Sequence, residues 1–138
     1  MTTKEIIFIN QIRKRIATIS IGSSAIRNQG APGLIDISRK YFYQSINLKE
    51  FRKKLTTNSY FDYLNKLTDE LVKSYPKNGR SWGAARKGLN LFFREVAYNH
   101  YLAEYLNIPT GYEQNLSILK NLEVPLDKDV ATGLSKIF

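Results

Sequence analysis

The side chains best able to do chemistry in this chain are cations, rings and amides. Lysine and arginine number 21 against 12 aspartates and glutamates, giving a formal net charge of +9 over 138 residues. The excess is lopsided: residues 1–54 hold 11 basic and 3 acidic residues, while residues 55–138 hold 10 and 9. Arg13, Lys14 and Arg15 are consecutive, as are Arg39 and Lys40, and Arg52, Lys53 and Lys54. Cations gathered in this way suit phosphates, because each phosphate neutralised releases a condensed counterion. Between two of the runs, Arg27, Asn28 and Gln29 stand before Gly30, Ala31, Pro32 and Gly33. Arg, Asn and Gln can contact bases or phosphates, and a helix starting at Pro32 would offer an anion its free N–H groups. Rings lie among the cations. Tyr41, Phe42 and Tyr43 follow Arg39 and Lys40, and Trp82 stands near Lys77 and Arg80 as the ring expected to be exposed. Such interleaving favours stacking on bases, although Phe42, Phe61, Phe92 and Phe93 fall at positions expected to pack in the core.

Other chemistry is thinly provided for. There is no cysteine and only one histidine, so disulfides and thiolate metal sites are excluded and a histidine metal site lacks partners. Neither a metal nor a cofactor is expected. The longest apolar run is four residues, Ile6 to Ile9, too short for a membrane span or a secretory core segment. No membrane partner and a cytoplasmic location are therefore expected. Nucleic acid becomes the leading partner, DNA ahead of RNA, with a second subunit left open.

Two segments carry a more specific pattern. Ser81-Trp82-Gly83-Ala84-Ala85-Arg86-Lys87-Gly88-Leu89-Asn90 lies between two helical stretches, and Glu123-Val124-Pro125-Leu126-Asp127-Lys128-Asp129-Val130 follows later. Together they resemble the helix-hairpin-helix DNA glycosylases of base-excision repair, over about residues 60–134. The resemblance implies a hairpin glycine at Gly83, a nucleophilic lysine at Lys87 and an essential aspartate at Asp127. Phosphate docking is expected on the N-terminal basic residues and on the 77–83 hairpin, with Lys77, Arg80, Trp82 and Gly83. Near the start of a buried helix, the dipole and desolvation both favour a neutral amine, which could attack the anomeric carbon of an extruded nucleotide. A carboxylate at a helix N-cap stays ionised, and could accept the amine's proton or stabilise a cationic sugar. Two other functions compete: a nucleic-acid-binding or protein-interaction module without chemistry, and a ribonuclease. The last rests on Arg94 and His100, an Arg-x5-His spacing that resembles the HEPN ribonucleases. On a straight helix those two side chains would stand about 120° apart.

Positioning these groups falls to helices. Ile6, Ile9, Ile12, Ile16 and Ile19 step by three or four, predicting a helix over 3–19. Further helices are predicted at about 32–45, at 48 onward behind Asn47 as cap, and from Ser59 along Tyr60, Leu64, Leu67 and Leu71. Pro76, Asn78 and Gly79 predict a turn. Ser81 should cap the longest helix, about 82–106, whose apolar residues surround it and imply burial. Helices near 112–120 and from Asp127 complete an all-α fold, one domain over residues 1–138, with a helix-hairpin-helix-like unit at its centre.

Overall fold

Residues 1–22 and 33–123 are described by a computed structural model, and they contain seven α-helices and no strand. Helix α1 spans Thr3–Ile19, α2 Leu34–Gln44, α3 Leu48–Leu55 and α4 Tyr60–Ser74. A single 3-10 turn, Lys77–Gly79, leads to α5 (Trp82–Tyr98), α6 (His100–Tyr105) and α7 (Tyr112–Leu119). None of the helices among the described residues is long and apolar enough to cross a membrane. The polar loop at Arg27, Asn28 and Gln29, the expected helix start at Pro32 and the expected cap at Asp127 lie outside the described residues.

Local chemistry explains the boundaries. Thr2 and Glu5 form a capping box, each side chain bonding the other's backbone N–H at 3.2 Å. Asn47 accepts from the Glu50 N–H at 3.1 Å, and Ser81 accepts from the Ala84 N–H at 3.1 Å. Ser59 precedes α4 as expected but makes no capping bond through its side chain. Helix α2 starts at Leu34 behind Gly33, whose φ of 94° is open to glycine at little cost.

The long helix departs from expectation. It ends at Tyr98, because Asn99 turns extended and its side chain accepts from the N–H groups of both Tyr101 and Leu102 at 3.0 Å. Asparagine competes with the helix for such bonds and is favoured at caps, so a new helix begins there. Helix α6 then closes on Asn107 in the left-handed region (φ 55°). The N–H of Ile108 reaches the carbonyl of Ala103 at 2.8 Å and that of Asn107 the carbonyl of Glu104 at 3.1 Å. This double closure is the Schellman pattern, with buried Ile108 supplying its apolar contact.

Helix α5 runs through the middle, packed against α4, α1 and α2. Rings fill the space around it. Phe42 stacks on Phe92 at 4.8 Å between centroids, and Phe51 stacks on Phe93 at 4.1 Å. Phe61, expected inside, is instead 47% exposed, because it lies one position beyond the α4 face that buries Tyr60, Tyr63, Leu64 and Leu67. Gly88 is needed for close packing. A Cβ there would sit 3.0 Å from Ile21 Cδ1 and 3.3 Å from Phe42 Cζ.

Candidate nucleic-acid interface

Wrapping by α1, α2 and α4 leaves α5 a partly open stripe, with Trp82, Arg86 and Glu95 beside it also not buried. At about 100° per residue, Gly83, Lys87, Leu91, Arg94 and Tyr98 fall within roughly 80° of each other around the helix. The burial pattern agrees. Ala84, Ala85, Gly88, Leu89, Phe92, Phe93, Val96 and Ala97 are buried, whereas Gly83 and Tyr98 are exposed and Lys87, Leu91 and Arg94 are half-buried. The stripe begins at the hairpin, where Lys77 and Arg80 are exposed. Arg80 points one guanidinium nitrogen back to the Lys73 carbonyl at 3.4 Å, near the end of α4. Gly83 has room around it, with only Ser81 Oγ within reach, 4.0 Å from where a Cβ would stand.

Trp82 is 49% exposed, as its place beside the hairpin predicted. Its ring is held from two sides. The indole N–H donates to Asp69 Oδ1 at 3.2 Å, and the Arg86 guanidinium lies 5.2 Å from the ring centroid. Arg86 in turn centres a polar network. It grips both oxygens of the Glu123 carboxylate, at 2.7 and 3.0 Å, and donates to Asn65 Oδ1 at 2.7 Å and Thr68 Oγ1 at 3.3 Å. Asn90, one turn along, donates to the same Glu123 oxygen at 2.9 Å. Hydrogen bonds from Arg86 hold the Glu123 carboxyl below the usual carboxylate range, against the opposing pull of burial, with Asn90 adding to the effect. Asn90 Oδ1 and Tyr60 Oη, both buried in this region, have no hydrogen-bond partner among the described residues. The network ties the segment after α7 to the middle of the molecule.

The sequence signalled little of this. Arg86 and Asn90 are four residues apart, the right spacing for one helix face, but their shared partner is 33 or more residues away. Beyond the network, the stripe descends into a groove of about 220 Å³ between α5 and α7. Arg94, Tyr98, Asn115, Leu116, Leu119, Lys120, Leu122 and Glu123 line it. Arg94 also pairs with its neighbour Glu95 at 3.3 Å. His100, the other half of the Arg-x5-His spacing, is exposed beyond the break at Asn99 and lies edge-on to Tyr101; it does not line the groove that Arg94 lines.

The N-terminal cations divide into two groups. Arg13 donates to the carbonyls of Phe42 and Ile46, at the end of α2. Burial pushes its guanidinium below the ordinary arginine value. Arg39 donates to the Ile21 carbonyl at 3.0 Å just past α1, and Arg52 to the Leu106 carbonyl at 3.0 Å just past α6. Lys49 donates to the Tyr105 carbonyl at 3.0 Å and lies over the Tyr105 ring. Cations at helix C-termini answer both free carbonyls and the negative end of the dipole. Lys14, Arg15 and Lys40 remain exposed, and Lys14 lies 5.7 Å from the Tyr43 ring centroid. Part of the N-terminal excess thus holds helices together, and part faces solvent. No group of three or more His, Asp or Glu side chains suited to a metal ion occurs among the described residues.

The chain matches no family model, and no curated protein or solved structure is significantly similar to it.

Proposed function

We propose that this chain binds nucleic acid, DNA ahead of RNA, along the hairpin before α5 and the partly open stripe of that helix. One observation carries the reading: an exposed, doubly held tryptophan and the cations Lys77, Arg80, Lys87 and Arg94 follow one another along the hairpin and stripe. A ring fixed beforehand stacks on a base without first losing its own freedom, and flanking cations neutralise phosphates. The exposed Lys14, Arg15 and Lys40 supply further positive charge. Electrophoretic mobility shift with a short duplex tests the proposal. Affinity should fall steeply with added salt, and Trp82→Ala with Arg80→Ala should weaken it at least tenfold. Binding indifferent to salt, or to both substitutions, would refute it.

Lys87 favours a second, catalytic reading. It is half-buried on the stripe one turn past Gly83, and no ion pair engages it among the described residues. In the glycosylase-like reaction its Nζ bonds to the anomeric carbon as the bond from that carbon to the base breaks. Asp127 takes the proton shed by the amine and passes it to the departing base. The nitrogen lone pair then expels the ring oxygen, which takes a proton from water, and the opened sugar is held as a Schiff base. Borohydride reduction on DNA carrying abasic or damaged sites should trap a covalent adduct that disappears in Lys87→Ala. An adduct that persists in that variant, or none with wild type, removes the lysine chemistry and leaves DNA binding standing.

A further inference from the structure

The groove at the far end of the stripe has its own chemistry. Leu116, Leu119 and Leu122 give it an apolar side, Tyr98 a ring, and Arg94 and Lys120 two cations. Its one carboxylate, Glu123, is already gripped by Arg86 and Asn90, and Arg94 gives only one guanidinium nitrogen to Glu95, so the remaining Arg94 donors and the Lys120 ammonium are left for an anion among the described residues. Tyr98 is 67% exposed and Leu116 55%, so both are accessible to a ligand from solvent. Apolar floor, ring and paired cations together describe a ligand with a flat aromatic part and an anionic part. At about 220 Å³ the groove lies below the usual range for larger organic ligands, which sets the scale at one ring system.

We infer that this groove is a subsite for a single nucleotide, with the base against Tyr98 and the leucines and the phosphate between Arg94 and Lys120. The inference rests on the nucleic-acid reading and extends it. From Gly83 to Arg94 the helix rises about 16 Å, roughly five stacked nucleotides, so a strand held at the hairpin reaches the groove with a terminal or displaced nucleotide. The groove thereby selects strand ends or unpaired nucleotides over continuous duplex.

Titration with deoxyadenosine monophosphate, followed by calorimetry on the full chain, isolates this subsite from the hairpin. Saturable one-site binding is expected. Tyr98→Ala and Arg94→Gln should each weaken it about tenfold, and Leu116→Glu, which sets a carboxylate beside the phosphate, should abolish it. Thermal melts check that these variants remain folded, as is expected at exposed Tyr98 and Leu116 and at half-buried Arg94. Deoxyadenosine and inorganic phosphate should each bind at least tenfold more weakly than the nucleotide. No saturable binding, binding indifferent to the three substitutions, or phosphate or nucleoside binding as tight as the nucleotide would each overturn the inference. Trp82→Ala with Arg80→Ala separates the two proposals: it should weaken duplex binding while leaving nucleotide affinity unchanged. Duplex binding lost in that variant with no nucleotide binding in wild type would sink the subsite alone. Nucleotide binding without any duplex binding would sink the hairpin interface alone.

Discussion

Glu123 shows how much can hang on one side chain. Arg86 and Asn90 both bond its carboxylate, and its own segment follows α7, so it fastens one end of the described fold to the central helix. Charge-assisted, two-pronged bonds are the strong kind, but a side chain 31% exposed keeps only part of their worth. Glu123→Gln should therefore cost about 1–2 kcal/mol in urea unfolding at neutral pH. The pH dependence has a definite sign. Because the folded carboxyl titrates lower than the unfolded one, its stabilisation is full above the ordinary value of 4.5 and is lost as pH falls through the folded value. The gap between wild type and variant should narrow on going from neutral pH to about pH 3; a constant gap would mean the ion pair contributes nothing. Tyr60 presents the opposite case. Its hydroxyl is buried without a partner among the described residues, and burial pushes its titration far upward. Deleting an unpaired buried hydroxyl removes a desolvation cost, so Tyr60→Phe should leave stability unchanged or raise it by up to about 1 kcal/mol. A clear loss in the same unfolding assay would reveal a bond to that oxygen.

Among the elements, α5 sets the arrangement of the rest. Its sequence is apolar around most of its circumference, which foretold its central place, and Ser81 marked its beginning. Its end was less legible. Leu102 and Leu106 continue the apolar spacing past Asn99, so periodicity alone extends the helix to 106. The break comes from bonds that Asn99 makes to backbone N–H groups, a competition that spacing does not register. Gly88 tests how tightly α5 is packed. Alanine in a helix is favoured over glycine by about 1 kcal/mol. Here, however, the added methyl would press on Ile21 and Phe42, two fully buried side chains. Overpacking costs on the order of 1–3 kcal/mol, so Gly88→Ala should destabilise overall, by about 1 kcal/mol in thermal or urea unfolding. A stabilised variant would show that the Ile21 and Phe42 side chains yield easily.

Across the whole molecule, charge serves two purposes. Arg13, Arg39, Arg52 and Lys49 close the ends of helices that lie far from them in sequence, whereas Lys14 and Lys40 stand exposed. The two groups should respond differently to removal. Arg13→Ala should lower stability by about 1–3 kcal/mol, since it frees two carbonyls at the end of α2. Lys14→Ala with Lys40→Ala should leave the melting temperature alone and lower the dependence of DNA affinity on salt by about one to two ion equivalents. An unchanged salt slope would confine binding to the hairpin and stripe. The sequence by itself determined the all-helical class, most helix starts and the exposure of Trp82. These follow from local causes: apolar residues three and four apart, short polar side chains that bond the first free N–H groups, and a turn marked by Pro76 and Gly79. Only the tertiary structure decided which arginines are spent on helix ends, that Phe61 lies outside, and that Arg86, Asn90 and Glu123 meet. Each of those depends on a partner 18 to 54 residues away or on which face a neighbouring helix covers, and no local pattern encodes that.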